Sequence, residues 1–221
     1  KNKIYKNLSE EEALEIFKDI GIQIVNYKVS INEKQTIDYS SQIGFPVAMK
    51  VLSNQILHKT ETGGVELNIK NLEELKISFK KLSNVFQKLK IKSSDEKFLI
   101  QKMEKGISEI ILGYRVDELV GPIVLIGSGG ILSEIYDDKS IRIAPVDITE
   151  AKKMIKEVKS LVTITGYRGL PQANINTIAT AIVKISKFAI VKEIKEAEIN
   201  PVIVKNDNEG IVAVDGLITL N

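Results

Sequence analysis

At 221 residues the chain is long enough to bury a sizeable core, as one large domain or two smaller lobes. Hydrophobic residues make up 43% and charged residues 27%, and a net charge of +2 with interspersed signs excludes a basic nucleic-acid-binding face. There is no cysteine and one histidine, which excludes disulfides, thiolate chemistry and a multi-histidine zinc site.

The opening "KNKIYKNLSEEEALEIF" is basic but lacks the apolar stretch of a secretory signal. The longest apolar run, near "GPIVLIG", is too short to span a bilayer. A cytoplasmic protein with no membrane or nucleic-acid partner is expected. Ser9 followed by Glu12 forms a capping box, and Leu14, Phe17 and Ile20 carry the helix to Gly21. A β-rich run, "IQIVNYKVS", precedes a polar helix over 33–43. "FPVAMKVLS" reads as a buried strand and "GVELNIK" as a half-exposed one. Leu72, Leu75, Phe79, Leu82, Phe86 and Leu89 recur at three-and-four spacing, predicting a helix over 71–90 with a core-facing stripe.

"KFLIQKM", "SEIILGYRV" and "GPIVLIG" are three further strands, the last running into a glycine cluster at Gly127, Gly129 and Gly130. Helices follow over 149–160 and 174–190, the second after the polar connection "TGYRGLPQAN". "EAEINPVIVK", the turn "NDNEG" and "IVAVDGLI" read as an antiparallel hairpin. Strands and helices mix in both halves with antiparallel character, which makes the class α+β.

Several residues could carry chemistry. Lys50 interrupts an apolar strand, where its stem either snorkels to the surface or its ammonium faces an anion. His58 stands five residues before Gly63 and Gly64 in "ILHKTETGGVELNI". That pair either closes a hairpin or lets backbone amides approach a phosphate. The cluster "GSGG" fails the dinucleotide pattern because Leu132 occupies the third glycine position, and no G-K-[ST] element exists. Glu198 and Asn200 lie two apart on one strand and so face one side. If the C-terminal strands pair, Asp215 comes close to Asn200, and such a sparse oxygen set suits magnesium. Alternatively, Asn-Pro ends a strand and Asp-Gly makes a turn.

In combination, "GFPVAMKVLSNQILHKTETGGVELNI", "FLIQKM…SEIILG", "GPIVLIGSGGILSEIYDDKSIRIAP" and "EAEINPVIVK…AVDGLI" resemble the ATP-grasp subunit of the ADP-forming acyl-CoA synthetases, in the form of the acetate–CoA ligase β subunit. The resemblance implies an ATP-grasp fold, with a small lobe of about 22–96, a large lobe of about 1–21 plus 97–221, and ATP or ADP between them. It also implies that Lys50 binds nucleotide phosphates and that Gly63 and Gly64 belong to a loop closing over them. The backbone of Gln101, Lys102 and Met103 would meet adenine, Glu109 the ribose and Arg142 a phosphate. Asn200 and Asp215 match the Mg2+ ligands, and His58 a transient phosphoryl carrier that Lys59 could assist through its positive field.

The implied reaction is acyl-CoA + ADP + phosphate ⇌ acid + CoA + ATP. Its partner would be a CoA-binding α subunit carrying a phosphocarrier histidine, in an α2β2 assembly. No CoA-binding domain is visible in the sequence, so acyl selection is expected in that partner. Two alternatives stand beside this reading, a non-catalytic ATP-binding regulatory module and a chain like the succinyl-CoA synthetase β subunit. The first would be expected to lose His58, Asn200 or Asp215. The second does not share "LHKTETGG" in this form.

Overall fold

The structure is a computed structural model, and it describes residues 5–53, 62–92, 95–129, 138–206 and 208–221. In chain order the elements begin with β1 (Lys6–Asn7), α1 (Glu10–Asp19), β2 (Tyr27–Ser30), α2 (Glu33–Ile43), β3 (Val47–Val51), β4 (Val65–Ile69), α3 (Leu72–Lys88) and β5 (Phe98–Lys102). They continue with β6 (Ser108–Asp117), β7 (Gly121–Ser128), β8 (Lys139–Ile143), α4 (Ile148–Glu157), α5 (Ile175–Ser186), β9 (Ile194–Val204), β10 (Ile211–Ala213) and β11 (Gly216–Leu220).

The five α-helices among the described residues open on side chains suited to the role. Ser9, Asn32, Asn71, Asp147 and Asn174 each accept a backbone N–H three residues on, satisfying a donor that the first turn leaves orphaned. At α1 the box is reciprocal, because the Glu12 carboxylate accepts the Ser9 N–H at 2.7 Å.

The chain divides into two compact units, residues 25–103 and residues 1–24 with 104–221. The smaller holds an antiparallel sheet in the order β2-β5-β3-β4. Its core joins Val47, Met49 and Val51 of β3 to Leu75, Leu82, Val85 and Phe86 of α3, with Phe86 edge-on to Phe98 at 5.3 Å. The stripe expected along α3 is buried only in its middle. Leu72 and Leu89 at its ends are 44% and 45% exposed, because the helix overruns the short strands beneath it. β5 hydrogen-bonds to both β2 and β3, so residues 98–102 belong with the smaller unit, whereas the sequence reading gave everything after 96 to the larger lobe.

The larger unit is an antiparallel sheet in the order β1-β11-β9-β6-β7-β8, with β10 also pairing β9. One core lies on one face of it, where Phe17, Met154, Ile178, Ile182 and Ile185 pack against Ile110, Leu112, Tyr114, Val124 and Ile126. β9 is the organising strand: it pairs β6 on one side, and on the other β10 through Val202↔Ala213 and then β11 through Ile199↔Gly216. The run read as one strand, "IVAVDGLI", is therefore two. Asp215 lies in the link between them. β8, carrying Arg142 and Ile143, is a strand the periodicity did not announce.

Candidate functional site

In the smaller unit the candidate site is built on the sheet face opposite the core. Along β3, Val47, Met49 and Val51 enter the core, and the pleat turns Ala48 and Lys50 the other way. Across the β3–β5 pair, Ala48 stands opposite Gln101 and Lys50 opposite Leu99, so these four share that face. Lys50 is only 4% exposed, deep for an ammonium group, and β4 lies on its other side through Lys50↔Val65. The Val51 N–H donates to the Gly64 carbonyl at 2.9 Å, which fixes the glycine pair at the start of β4, one residue from Lys50 along β3. Gly63 takes φ +70 in that turn, a conformation suited to glycine, and nothing stands within 4 Å of where a side chain would begin. His58 lies outside the described residues, as do Gly130 and Leu132.

Of the segment expected to meet adenine, Gln101 is fully buried and Lys102 exposed. The Lys102 N–H donates to the Asn26 carbonyl at 2.9 Å and the Met103 N–H to the Pro46 carbonyl at 3.1 Å. Those two amides are thus engaged within the unit.

In the larger unit, Asn200 and Asp215 are brought together. The Asn200 N–H donates to the Asp215 carbonyl at 3.2 Å, because β10 peels away from β9 after Ala213 and β11 takes its place from Gly216. Glu198 joins them from the same face of β9, accepting the Asn200 side-chain amide at 3.4 Å. Burial holds the Glu198 carboxyl above the usual carboxylate range. The charges of Glu196 and Asp215 push the same way, and the Asn200 hydrogen bond only partly opposes them. A nearby cation would relieve both the desolvation and the repulsion. The donors are hard oxygens and few, which fits magnesium and leaves positions for water and phosphate. Glu198 is thus a candidate ligand beside Asn200 and Asp215 that spacing alone placed on the same face without assigning it a role.

Glu109 is exposed on β6, and its carbonyl accepts the Gly129 N–H at 2.8 Å. A Cβ at Gly129 would stand 2.8 Å from the Glu109 carbonyl carbon and the Ile110 nitrogen. The "GSGG" cluster therefore owes this glycine to close backbone packing beside Glu109.

Arg142, expected to meet a phosphate, is engaged within the larger unit. Its Nε donates to Glu150 at 2.7 Å, Nη2 to Glu157, and Nη1 to the Ile141 carbonyl at 2.9 Å. The guanidinium ties β8 to α4, and two carboxylates already offset its charge, so these contacts do not offer it to a phosphate. Hydrogen bonds to Arg142 hold Glu157 and Glu150 below the usual glutamate range, with Ser140 and Lys153 respectively adding to the effect. Carboxylates depressed in the folded state stabilise it above their unfolded pKa of about 4.3, and that contribution is lost as pH falls through the folded values. The urea midpoint should therefore drop on acidification below about pH 4.3, and the double variant E150Q/E157Q should show a flatter drop. An equally steep drop in the double variant would show that the cluster is not its source.

Comparison with known proteins gives this geometry a family. The ATP-grasp domain model matches residues 2–220. The β subunit of an ADP-forming acetate–CoA ligase I from Pyrococcus furiosus is 39% identical over 96% of this chain and 91% of its own length. An ADP-forming 4-hydroxybutyrate–CoA ligase from Nitrosopumilus maritimus is 35% identical over 97% of this chain, which spans only 31% of that protein. Among solved structures, acetyl-coenzyme A synthetase 1 of Ca. Korarchaeum cryptofilum, in complex with coenzyme A and Ca-AMPCP, superposes with a TM-score of 0.89. It is 33% identical, covering 98% of this chain and 94% of that one. Another structure of that synthetase holds Mg-AMPPCP, with its phosphohistidine segment pointing towards the nucleotide binding site. The chain thus belongs to the ATP-grasp family, alongside the β subunits of the ADP-forming acetate–CoA ligases.

Proposed function

We propose that this chain is the nucleotide-handling β subunit of an ADP-forming acyl-CoA synthetase. With a CoA-binding α subunit, in an α2β2 assembly in the cytoplasm, it would convert acyl-CoA, ADP and phosphate into the free acid, CoA and ATP. The observation that carries this reading is the match along nearly the whole length of both this chain and a separate β subunit. The relatives' names differ in the acid they activate, acetate in one and 4-hydroxybutyrate in another, which supports placing acyl selection on the CoA-binding part.

In this reading Lys50 neutralises the nucleotide's phosphates, and the Gly63–Gly64 amides close over them. An adenine read by the Gln101–Met103 segment would meet carbonyl oxygens rather than the two engaged N–H groups, and Glu109 would hold the ribose hydroxyls. Asn200, Asp215 and Glu198 would hold Mg2+, which when bound supplies positive charge to the phosphoryl oxygens. His58 accepts the phosphoryl group from the companion's phosphohistidine. The β-phosphate oxygen of ADP then attacks that phosphorus, the P–O bond of ATP forms, and the P–N bond breaks as its electron pair returns to the imidazole. The phosphoramidate keeps a high transfer potential, so the step runs in both directions.

The test is ATP formation from acetyl-CoA, ADP and phosphate by this chain mixed with a CoA-binding subunit. No ATP from any acyl-CoA tried would overturn the synthetase reading in favour of an ATP-binding module. Replacing Asp215 by Asn should raise the Mg2+ concentration needed for half-maximal rate about 10–100-fold, with the maximal rate partly recovered at high Mg2+. An unchanged magnesium profile would remove Asp215 from the metal site.

A further inference from the structure

We infer that the surface made by Tyr167, Arg168 and Leu170 and the apolar cleft at their base is where the CoA-binding companion subunit docks, through an acidic segment with an apolar face. This rests on the functional reading above. The connection between α4 and α5 reads from sequence as a polar loop, yet its structure is specific. Gly166, Arg168 and Gly169 have φ of 81°, 50° and 80° respectively, so an arginine sits between two glycines in the left-handed region that L side chains avoid. The neck is pinned by the Thr165↔Gln172 bridge and by the Ala173 N–H, which donates to the Ile164 carbonyl at 2.8 Å. Within the tip the Leu170 N–H donates to the Tyr167 carbonyl at 3.1 Å. A strained backbone held this firmly presents its side chains in one arrangement.

Those side chains point outward. Tyr167 is 48% and Leu170 46% exposed, and the Arg168 guanidinium lies 5.2 Å from the Tyr167 ring centroid. Tyrosine and arginine are the side chains that most often carry binding energy at protein interfaces, and a fixed backbone lowers the entropy lost on binding. At the base of the tip, Ile155, Val158, Leu161, Val162, Thr165 and Ile175 line a cleft of about 420 Å³. A protruding tip beside an apolar cleft suits a macromolecular partner, whereas small ligands are enclosed on all sides.

The charge around the cleft selects the occupant. Lys156 and Lys159 line it, and Lys152 lies one helical turn before Lys156 along α4. Lys152, Lys156 and Arg168 form no ion pair among the described residues, while the neighbouring Glu150 and Glu157 are engaged by Arg142. Asp138 stands beside Lys159 and offsets its charge, but among the described residues Lys152, Lys156 and Arg168 leave an excess of positive charge, whose complement is a segment bearing carboxylates beside apolar side chains. In the functional reading the phosphoryl donor is on the companion, which must bind this chain in a fixed register. The larger unit that carries Asn200 and Asp215 also carries this surface.

The test uses the CoA-binding subunit that gives ATP formation with the wild-type chain, and measures association by sedimentation or interferometry. Arg168→Gly removes the side chain while suiting the left-handed backbone, so it should not lower the unfolding temperature. It should weaken association at least about tenfold, and Val162→Glu in the cleft should do the same, with ADP affinity unchanged in both. Wild-type association by both variants would overturn the assignment. Weakened association accompanied by a lowered unfolding temperature in Arg168→Gly would also overturn it, since the residue would then be structural. Failure of the wild-type chain to form ATP with any CoA-binding subunit is a different result, and it overturns the functional reading on which this surface depends.

Discussion

Replacing Lys50 by methionine should lower ATP formation by at least about 100-fold while leaving the fold intact. The lysine lies on a strand whose every residue is buried, among Ala48, Leu99 and Gln101, so a methionine of similar length fits the space without a charge to desolvate. The loss should therefore come from chemistry alone. Without the ammonium, the charge that develops on the transferred phosphoryl group loses a fixed compensating partner in a site shielded from water. Calorimetric titration with ADP should show weaker binding, and the variant should still unfold in one cooperative transition. A variant that makes ATP at the wild-type rate would remove Lys50 from the nucleotide site.

His58→Ala separates phosphoryl transfer from binding. It should cut ATP formation at least about 100-fold, yet leave ADP affinity within about twofold of the wild-type value. The chain's single histidine makes the measurement direct. Incubation of the wild-type chain with labelled ATP should give one phosphorylated site, stable in alkali and labile in acid, as a phosphoramidate is. The variant should take up no label. Full turnover by His58→Ala would mean that the companion's phosphohistidine reaches ADP without a second carrier.

Much of the fold is legible in the sequence because local signals agree with one another. The Ser9–Glu12 box, the stripe along α3, the apolar run of β3 and the alternation in β4 each have a short-range cause, and each element forms where its pattern predicts. The exceptions have long-range causes. Leu72 and Leu89 fit the helical stripe, but the sheet under α3 ends before them. β5 follows a helix of the smaller unit and precedes a strand of the larger, and only its hydrogen bonds to β2 and β3 assign it. β8 escapes notice because its isoleucines, Ile141 and Ile143, are exposed while the polar Ser140 is buried.

The candidate site shows the same division. Asn200 and Asp215 are readable as neighbours because a hairpin of few residues joins them. Arg142 invites a phosphate role because nothing in "RIAP" reveals that Glu150 and Glu157, on the following helix, converge on its guanidinium. Glu198 has its pattern in plain view, but its desolvation depends on neighbours from β6 and β11 that only the folded sheet supplies.

The crossing at which β11 replaces β10 beside β9 also bears on how the molecule folds. The stretch from Asn200 to Asp215 closes a short loop, and hairpins of this length form in about 1–10 μs, well before strands distant in sequence find one another. The Val202↔Ala213 and Ile199↔Gly216 pairings that flank the crossing then set the spacing of the proposed metal pair. An excised peptide spanning β9 to β11 thus contains the whole instruction for that spacing, and changes elsewhere in the larger sheet would alter when the pair is used rather than whether it is assembled.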